Sequence, residues 1–169
     1  PYVIGIDLGG QTAKFGIVDA RGNVLKQTAI RSNTQNNPEE FINDLAEGIK
    51  KLIDKEYDIN DIRGIGVGAP NGNYYTGCIE SAANLTWAKN QVVHFADMLS
   101  ERVGIPVALT NDANAAAVGE MTYGAARGMK NFIMITLGTG VGSGIVVDGK
   151  VVYGHDGFAG ELGHTCAVR

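Results

Sequence analysis

One pattern occurs twice in this sequence and dictates most of what the chain can become. Ile6-Asp7-Leu8-Gly9-Gly10-Gln11-Thr12-Ala13-Lys14-Phe15-Gly16-Ile17-Val18-Asp19 reads as strand, glycine turn, strand. Ile135-Thr136-Leu137-Gly138-Thr139-Gly140-Val141-Gly142-Ser143-Gly144-Ile145-Val146-Val147-Asp148 repeats it. Each copy then runs into a Gly-polar-Val step, Gly22-Asn23-Val24 and Gly149-Lys150-Val151. Gly9 and Gly10 permit positive φ angles and a close approach of the backbone to another group. Oriented N–H groups in such a turn form a concavity suited to a phosphate. Asp7, Thr12 and Lys14 bring a carboxylate, a hydroxyl and an ammonium to the first turn. Two such hairpins in one chain imply a duplicated architecture with a cleft between its halves.

The segments between the copies fill in an α/β plan. Residues 13–19 are short and apolar, as for a strand buried on both sides, and a third strand follows over 24–30 after the turn at 20–23. Asn36-Asn37-Pro38-Glu39-Glu40 is helix-start chemistry: an Asn cap, Pro in the first turn, acids at the positive end of the dipole. Phe41, Leu45, Ile49 and Leu52 then mark one face of a helix ending near Lys55. A glycine-rich strand is expected over 64–69, a turn at 70–73, and a short surface hairpin over 74–80. A helix follows over 92–103, ended by Gly104, then a strand over 106–110 and an alanine-rich helix over 113–123. Strands over 131–137, around 145–147 and over 151–153 complete the repeat, with a loop at 155–160 and a helix starting near Glu161. The natural division is residues 1–115 and 116–169, with a helix crossing the boundary.

Composition narrows the class. Of 169 residues 44% are hydrophobic and 19% charged, so a packed core is expected and a disordered chain is excluded. The net charge of −4, with no run of Lys or Arg, argues against a nucleic-acid or anionic-membrane footprint. Cys78 and Cys166 sit in unrelated contexts and read as free thiols of a reduced, cytoplasmic protein. No apolar run approaches the roughly 18 residues of a membrane helix. The chain opens almost on a strand and stops at Arg169 without a cap signal, as expected of part of a longer protein.

Four groups of residues could carry chemistry. The two glycine loops either just shape tight hairpins or bind anions. They lack Gly-x-x-x-x-Gly-Lys-Ser/Thr spacing and open hairpins, not helices, which excludes a P-loop and disfavours a dinucleotide fold. Asp7 suits Mg²⁺ held through water or the orientation of phosphate ligands, and Lys14 reads equally as a solvated strand residue. Asp112, in Thr110-Asn111-Asp112-Ala113-Asn114, is either the cap of the alanine-rich helix or, at the carboxyl end of a strand, a base for a substrate hydroxyl. Glu161 and His164, three apart, share a helical face and suit sugar hydroxyls, although a surface helix start would explain them too. Asn71, Asn73 and Asn111 add neutral hydrogen-bonding groups of the kind a polyol site needs.

Taken together, Asp7 to Lys14, Thr110 to Ala115, and Leu137-Gly138-Thr139-Gly140 through Gly160-Glu161-Leu162-Gly163-His164 resemble the ROK family (repressors, open reading frames, sugar kinases), and within it the bacterial glucokinases. The resemblance spans the chain in the family's order. It implies the actin-like, ribonuclease H-like duplicated α/β fold, with the second domain truncated, and ATP with Mg²⁺ in the cleft. It implies phosphorylation of a hexose, glucose first, with fructose, N-acetylmannosamine and N-acetylglucosamine as alternatives, and Asp112 as general base. Gly9, Gly10 and Thr12 match the first phosphate loop, and Gly138, Thr139 and Gly140 the second. Gly72, Asn73, Asn111, Glu161 and His164 match sugar contacts. Family members continue into a zinc loop in which the histidine matching His164 joins three cysteines. Cys166 lies too close to be the first of these, so structural zinc is expected only in the full-length protein, as is a homodimer. The stretch alone is expected to be inactive. A sugar-responsive repressor core is the rival reading, against which stands the absence of a basic helix ahead of the first strand.

Overall fold

A computed structural model describes residues 1–138 and 140–165. Its larger sheet has five strands, β1 (Tyr2–Leu8), β2 (Thr12–Asp19), β3 (Val24–Arg31), β4 (Ile62–Gly68) and β8 (Val107–Thr110), in the order β3-β2-β1-β4-β8. The first three run antiparallel as consecutive hairpins, while β4 and β8 lie parallel to β1. Short β5 (Gly72–Asn73), β6 (Cys78–Glu80) and β7 (Val92–Val93) form a small second sheet. Strands β9 (Phe132–Leu137), β10 (Val141–Val147) and β11 (Lys150–Val151) form the third. The repeated turn step holds, with Gly22 at φ +85° and Gly149 at φ +74°.

Helix α1 (Pro38–Ile53) forms as its sequence dictates. Asn37 Oδ1 accepts the Glu40 N–H at 2.9 Å, Pro38 opens the first turn, and Lys50 and Lys51 sit at the negative end. Its buried face, Phe41, Leu45, Ile49 and Leu52, lies with α2 (Phe95–Val103) in the same core as Ile4, Ile6, Leu8, Phe15 and Ile17. Phe41 stacks on the buried Trp87 with ring centroids 4.3 Å apart and planes 7° apart.

Helix α3 (Asp112–Tyr123) works differently, because it is wedged between two sheets. A Cβ at Gly68 of β4 would meet the Ala115 methyl at 3.2 Å. On the other side, a Cβ at Gly144 of β10 would come within 2.8 Å of the Ala113 carbonyl and the Ala117 methyl. Small residues on all three elements permit that double contact, which is why the helix is alanine-rich and has no single apolar stripe. The expected boundary between residues 115 and 116 falls inside α3.

Several local expectations are corrected. Strand β2 is not buried along both faces: Ala13, Phe15 and Ile17 are buried on one, while on the other Gly16 is buried but Lys14 is exposed. Residues 92–93 are strand and not helix: Val93 pairs with Ile79, and the β-branched pair suits a ladder better than a first turn. Glu161 leads into a single 3-10 turn, Leu162–His164, instead of an α-helix. Gly160 takes φ +89°, and a Cβ at Gly163 would collide with the Val141 carbonyl. Gly9 and Gly10 do not use positive φ; they are glycine for close approach, to the Thr12 carbonyl (2.9 Å) and the Asn84 carbonyl (2.8 Å) from a Cβ position. Cys78 is buried with a free thiol. Thr139 and Cys166, with their expected roles, lie outside the described residues.

Candidate active site

Asp112 was the ambiguous residue in the sequence, and the cap geometry resolves its local role. Asn111 is the N-cap of α3: its Oδ1 accepts the Asn114 N–H at 2.8 Å. Asp112 is therefore the first helical residue, relieved of capping, at the positive end of the helix. It opens onto a cavity of about 490 Å³. The cavity is lined by Asn111, Asn71 and Asn84, by Gly138, Gly140 and Ser143 of the second hairpin, and by Glu161 and His164.

Electrostatics single out the same carboxylate. Partial withdrawal from water is the main reason the Asp112 pKa is pushed up to about 6; the negative charges of Asp7 and then Glu161 raise it further, against a lowering hydrogen bond from its own N–H. Asp7 faces Lys14 across the β1–β2 ladder, both exposed. Asp112 and Glu161 line the cavity, while Asp7 acts on Asp112 from outside its lining; a carboxylate so perturbed beside a helix start suits a reaction in which a proton leaves a hydroxyl.

The loops are braced from behind. In the first, the Gly9 N–H donates to the Thr12 carbonyl at 3.0 Å, and the Ser32 hydroxyl donates to the Gly9 carbonyl at 2.5 Å. Ser32 is in turn fixed by the Trp87 indole N–H on its carbonyl, 3.0 Å away. In the second, no described atom stands within 4 Å of a Cβ built at Gly138 or Gly140, so the backbone there is open to close approach by a ligand. Gly10 meets the cavity only through Asn84, whose carbonyl it packs against and whose side belongs to the lining.

Not every expected residue lines the cavity: Asp7, Gly9, Thr12 and Lys14 of the first hairpin are not part of its lining. Gly72 and Asn73 stand behind its wall: a Cβ at Gly72 would lie 2.6 Å from the Thr110 carbonyl, and Asn73 is 5% exposed. Both donor and acceptor of Asn73 are engaged, with Asp156 and Tyr75. Asn84 was missed in the sequence, since an Asn in a turn carries no spacing signal; Asn71 takes its place through φ +53° and bonds from its amide to the Glu80 and Ser81 carbonyls. His164 Nε2 lies 3.5 Å from Glu161 Oε2, so the pair does share a face. Among the described residues no three metal-binding side chains gather around His164 or elsewhere, so the zinc set is not formed by them.

The family model described as ROK family matches residues 3–169. The chain belongs to the ROK family. Glucokinase of Halalkalibacterium halodurans is 38% identical over 169 residues, covering 99% of this chain and 50% of that protein. The xylose repressor of Caldicellulosiruptor bescii, also similar to this ROK chain, is 32% identical and matches 96% of it and 41% of the repressor. A crystal structure of a ROK family glucokinase from Streptomyces griseus, in complex with glucose and AMPPNP, superposes with a TM-score of 0.83 at 32% identity, over 99% of this chain and 51% of that one. The actin-like α/β fold expected of a ROK protein is thus the fold observed, and the chain spans about half the length of the relatives it matches.

Proposed function

We propose that this chain carries the acceptor side and the phosphate loops of an ATP- and Mg²⁺-dependent hexose kinase, with the 6-hydroxyl of glucose as the acceptor. The observation that carries the reading is the Asp112 carboxylate, free of capping duty, with its pKa pushed up to about 6 in a cavity shared with Glu161, His164 and the Gly138–Gly140 loop. Asp112 takes the hydroxyl proton as the sugar oxygen attacks phosphorus; a carboxylate with such a pKa is ionised at neutral pH yet basic enough to accept it. Glu161, His164 and the amide of Asn111 hold neighbouring hydroxyls. The backbone of Gly9–Thr12 and of the second loop, with Lys14, holds the phosphates. Asp7 holds the cation, whose charge offsets that of the carboxylates and the triphosphate. Mg-ATP supplies the transferable phosphoryl group, and positioning supplies most of the rate. Closure of the two halves over the sugar excludes water. Zinc at His164 and dimerisation belong to the same proposal for the full-length protein.

The relation to a xylose repressor makes a sugar sensor the second reading. ADP release by the full-length protein over glucose, fructose, N-acetylmannosamine and N-acetylglucosamine separates the two. Turnover is expected, fastest on glucose; calorimetric sugar binding with no ADP release would favour the sensor. Asp112→Ala should keep sugar binding and lower turnover by roughly 10²- to 10⁴-fold, and a variant that keeps its turnover overturns the role of Asp112.

A further inference from the structure

Three tyrosines join the two halves of the molecule at a place the proposed chemistry does not use. The Tyr153 ring lies flat on Tyr74, with centroids 4.2 Å apart and planes 5° apart. Tyr75 meets both rings edge-on, at 6.0 Å from Tyr153 and 5.9 Å from Tyr74. Tyr74 and Tyr75 keep exposed outer sides, whereas Tyr153 is half-buried. One residue before them, the buried Asn73 donates from Nδ2 to the Asp156 carbonyl at 2.9 Å. Its Oδ1 accepts the Tyr75 N–H at 3.0 Å, and its amide fills the space a Cβ on Gly157 would need.

The segment held by this contact leads directly to Glu161 and His164. Gly154, Gly157 and Gly160 have φ of +79°, +86° and +89°, and a run so rich in left-handed glycine has little intrinsic stiffness. Its course is set by its anchors. The Ala159 N–H donates to the Tyr153 carbonyl, and the Ser143 hydroxyl to the Gly160 carbonyl. Both of those lie within the second half; the tyrosine and Asn73 contacts cross to the first. The crossing point is itself rigid, because Gly72 packs against the carbonyl of Thr110, two residues before Asp112. A continuous line of contact therefore runs from the Glu161 segment through Tyr153 and Asn73 to Gly72, Thr110 and the start of α3.

We propose that the Tyr74–Tyr153 stack, with Asn73 beneath it, is a positioning clamp that fixes Glu161 and His164 opposite Asp112 and thereby sets affinity for the sugar and not for the nucleotide. The inference rests on the kinase reading of the cavity. Tyr153 and Tyr74 touch neither substrate; they act through the segment they hold.

The test uses the full-length protein with Tyr153→Ala, Tyr74→Ala, the double variant and the conservative Tyr153→Phe. Losing one aromatic stack should raise KM for glucose by about threefold to tenfold, with KM for ATP and kcat within twofold. Tyr153→Phe, which keeps the ring, should restore the wild-type value, and the double variant should be no worse than either single one. Equal rises in KM for both substrates, or an unchanged KM for glucose in an active Tyr153→Ala protein, overturn the clamp. Amide hydrogen exchange over residues 154–164, measured on the same proteins, is the readout that does not need turnover. It should quicken in Tyr153→Ala and not in Tyr153→Phe; equal rates in all variants overturn the clamp. A wild type that turns over no hexose while showing this exchange pattern refutes the kinase reading and leaves the clamp supported.

Discussion

At the scale of single residues, the decisive step is a shift of one position in the cap. An Asn-Asp pair ahead of an alanine-rich helix offers two capping side chains. The structure uses the neutral one, Asn111, for the Asn114 N–H. The charged one is left facing the cavity, where the charges of Asp7 and Glu161 add to partial desolvation in raising its pKa to about 6. A protonated Asp112 cannot accept a proton, so kcat/KM of the full-length enzyme should fall tenfold per pH unit below about pH 6. Removing either neighbouring charge lowers that pKa and moves the acid limb to lower pH. Asp7→Asn should move it further than Glu161→Gln, because Asp7 is the larger of the two contributions. A pH–rate profile whose midpoint is the same in all three proteins would show that another group controls the limb.

At the scale of elements, α3 is the part packed on both sheets, and its two-sided contact rests on small residues opposite it. Gly144→Val would set new methyls against the Ala113 carbonyl and the Ala117 methyl, where a Cβ already stands at 2.8 Å. Overpacking of this kind costs about 1–3 kcal/mol, and because Ala113 adjoins Asp112, turnover should fall by more than the unfolded fraction explains. Gly66→Ala is the control: no described atom lies within 4 Å of its Cβ position, and chemical denaturation should find it as stable as wild type. If both variants unfold alike, the tight fit of α3 on β10 is not what holds the hairpin.

At the scale of the whole molecule, the phosphate loop and the core are one mechanical unit. The single tryptophan, Trp87, is fully buried on Phe41 and donates to Ser32, which in turn holds Gly9. Trp87→Phe keeps an aromatic ring in the core but leaves the Ser32 carbonyl unpaired, a loss of about 1–3 kcal/mol for a buried acceptor. Circular dichroism during denaturation should show that loss. Nucleotide affinity should weaken while sugar affinity holds, since the first loop and not the Glu161 segment is loosened. The two hairpins also differ in surroundings: Ile4, Ile6 and Leu8 are buried in the core with α1, while the matching Ile133, Ile135 and Leu137 are more than half exposed among the described residues. No described helix is long and apolar enough to cross a membrane.

The sequence by itself determined what short-range physics encodes. Asn37-Pro38 and the four-residue spacing of Phe41, Leu45 and Ile49 specify α1, because caps and a 3.6-residue period act within one helix. Glycine corners flanked by apolar runs specify both hairpins, and Asp112, Glu161 and His164 could be selected from their residue types and neighbours. The tertiary structure alone decided the rest. The two- and three-residue strands β5, β6 and β7 are too short to show a period and exist only through pairing with distant residues, Gly72 with Ile79 and Ile79 in turn with Val93. Asn84 reaches the cavity because Gly10 packs on its carbonyl, Asn73 leaves it because Asp156 takes its amide, and Asp112 is free because Asn111 caps in its place. Each of these depends on which distant group arrives first to satisfy a buried hydrogen bond or fill a space, and no window of neighbouring residues contains that information.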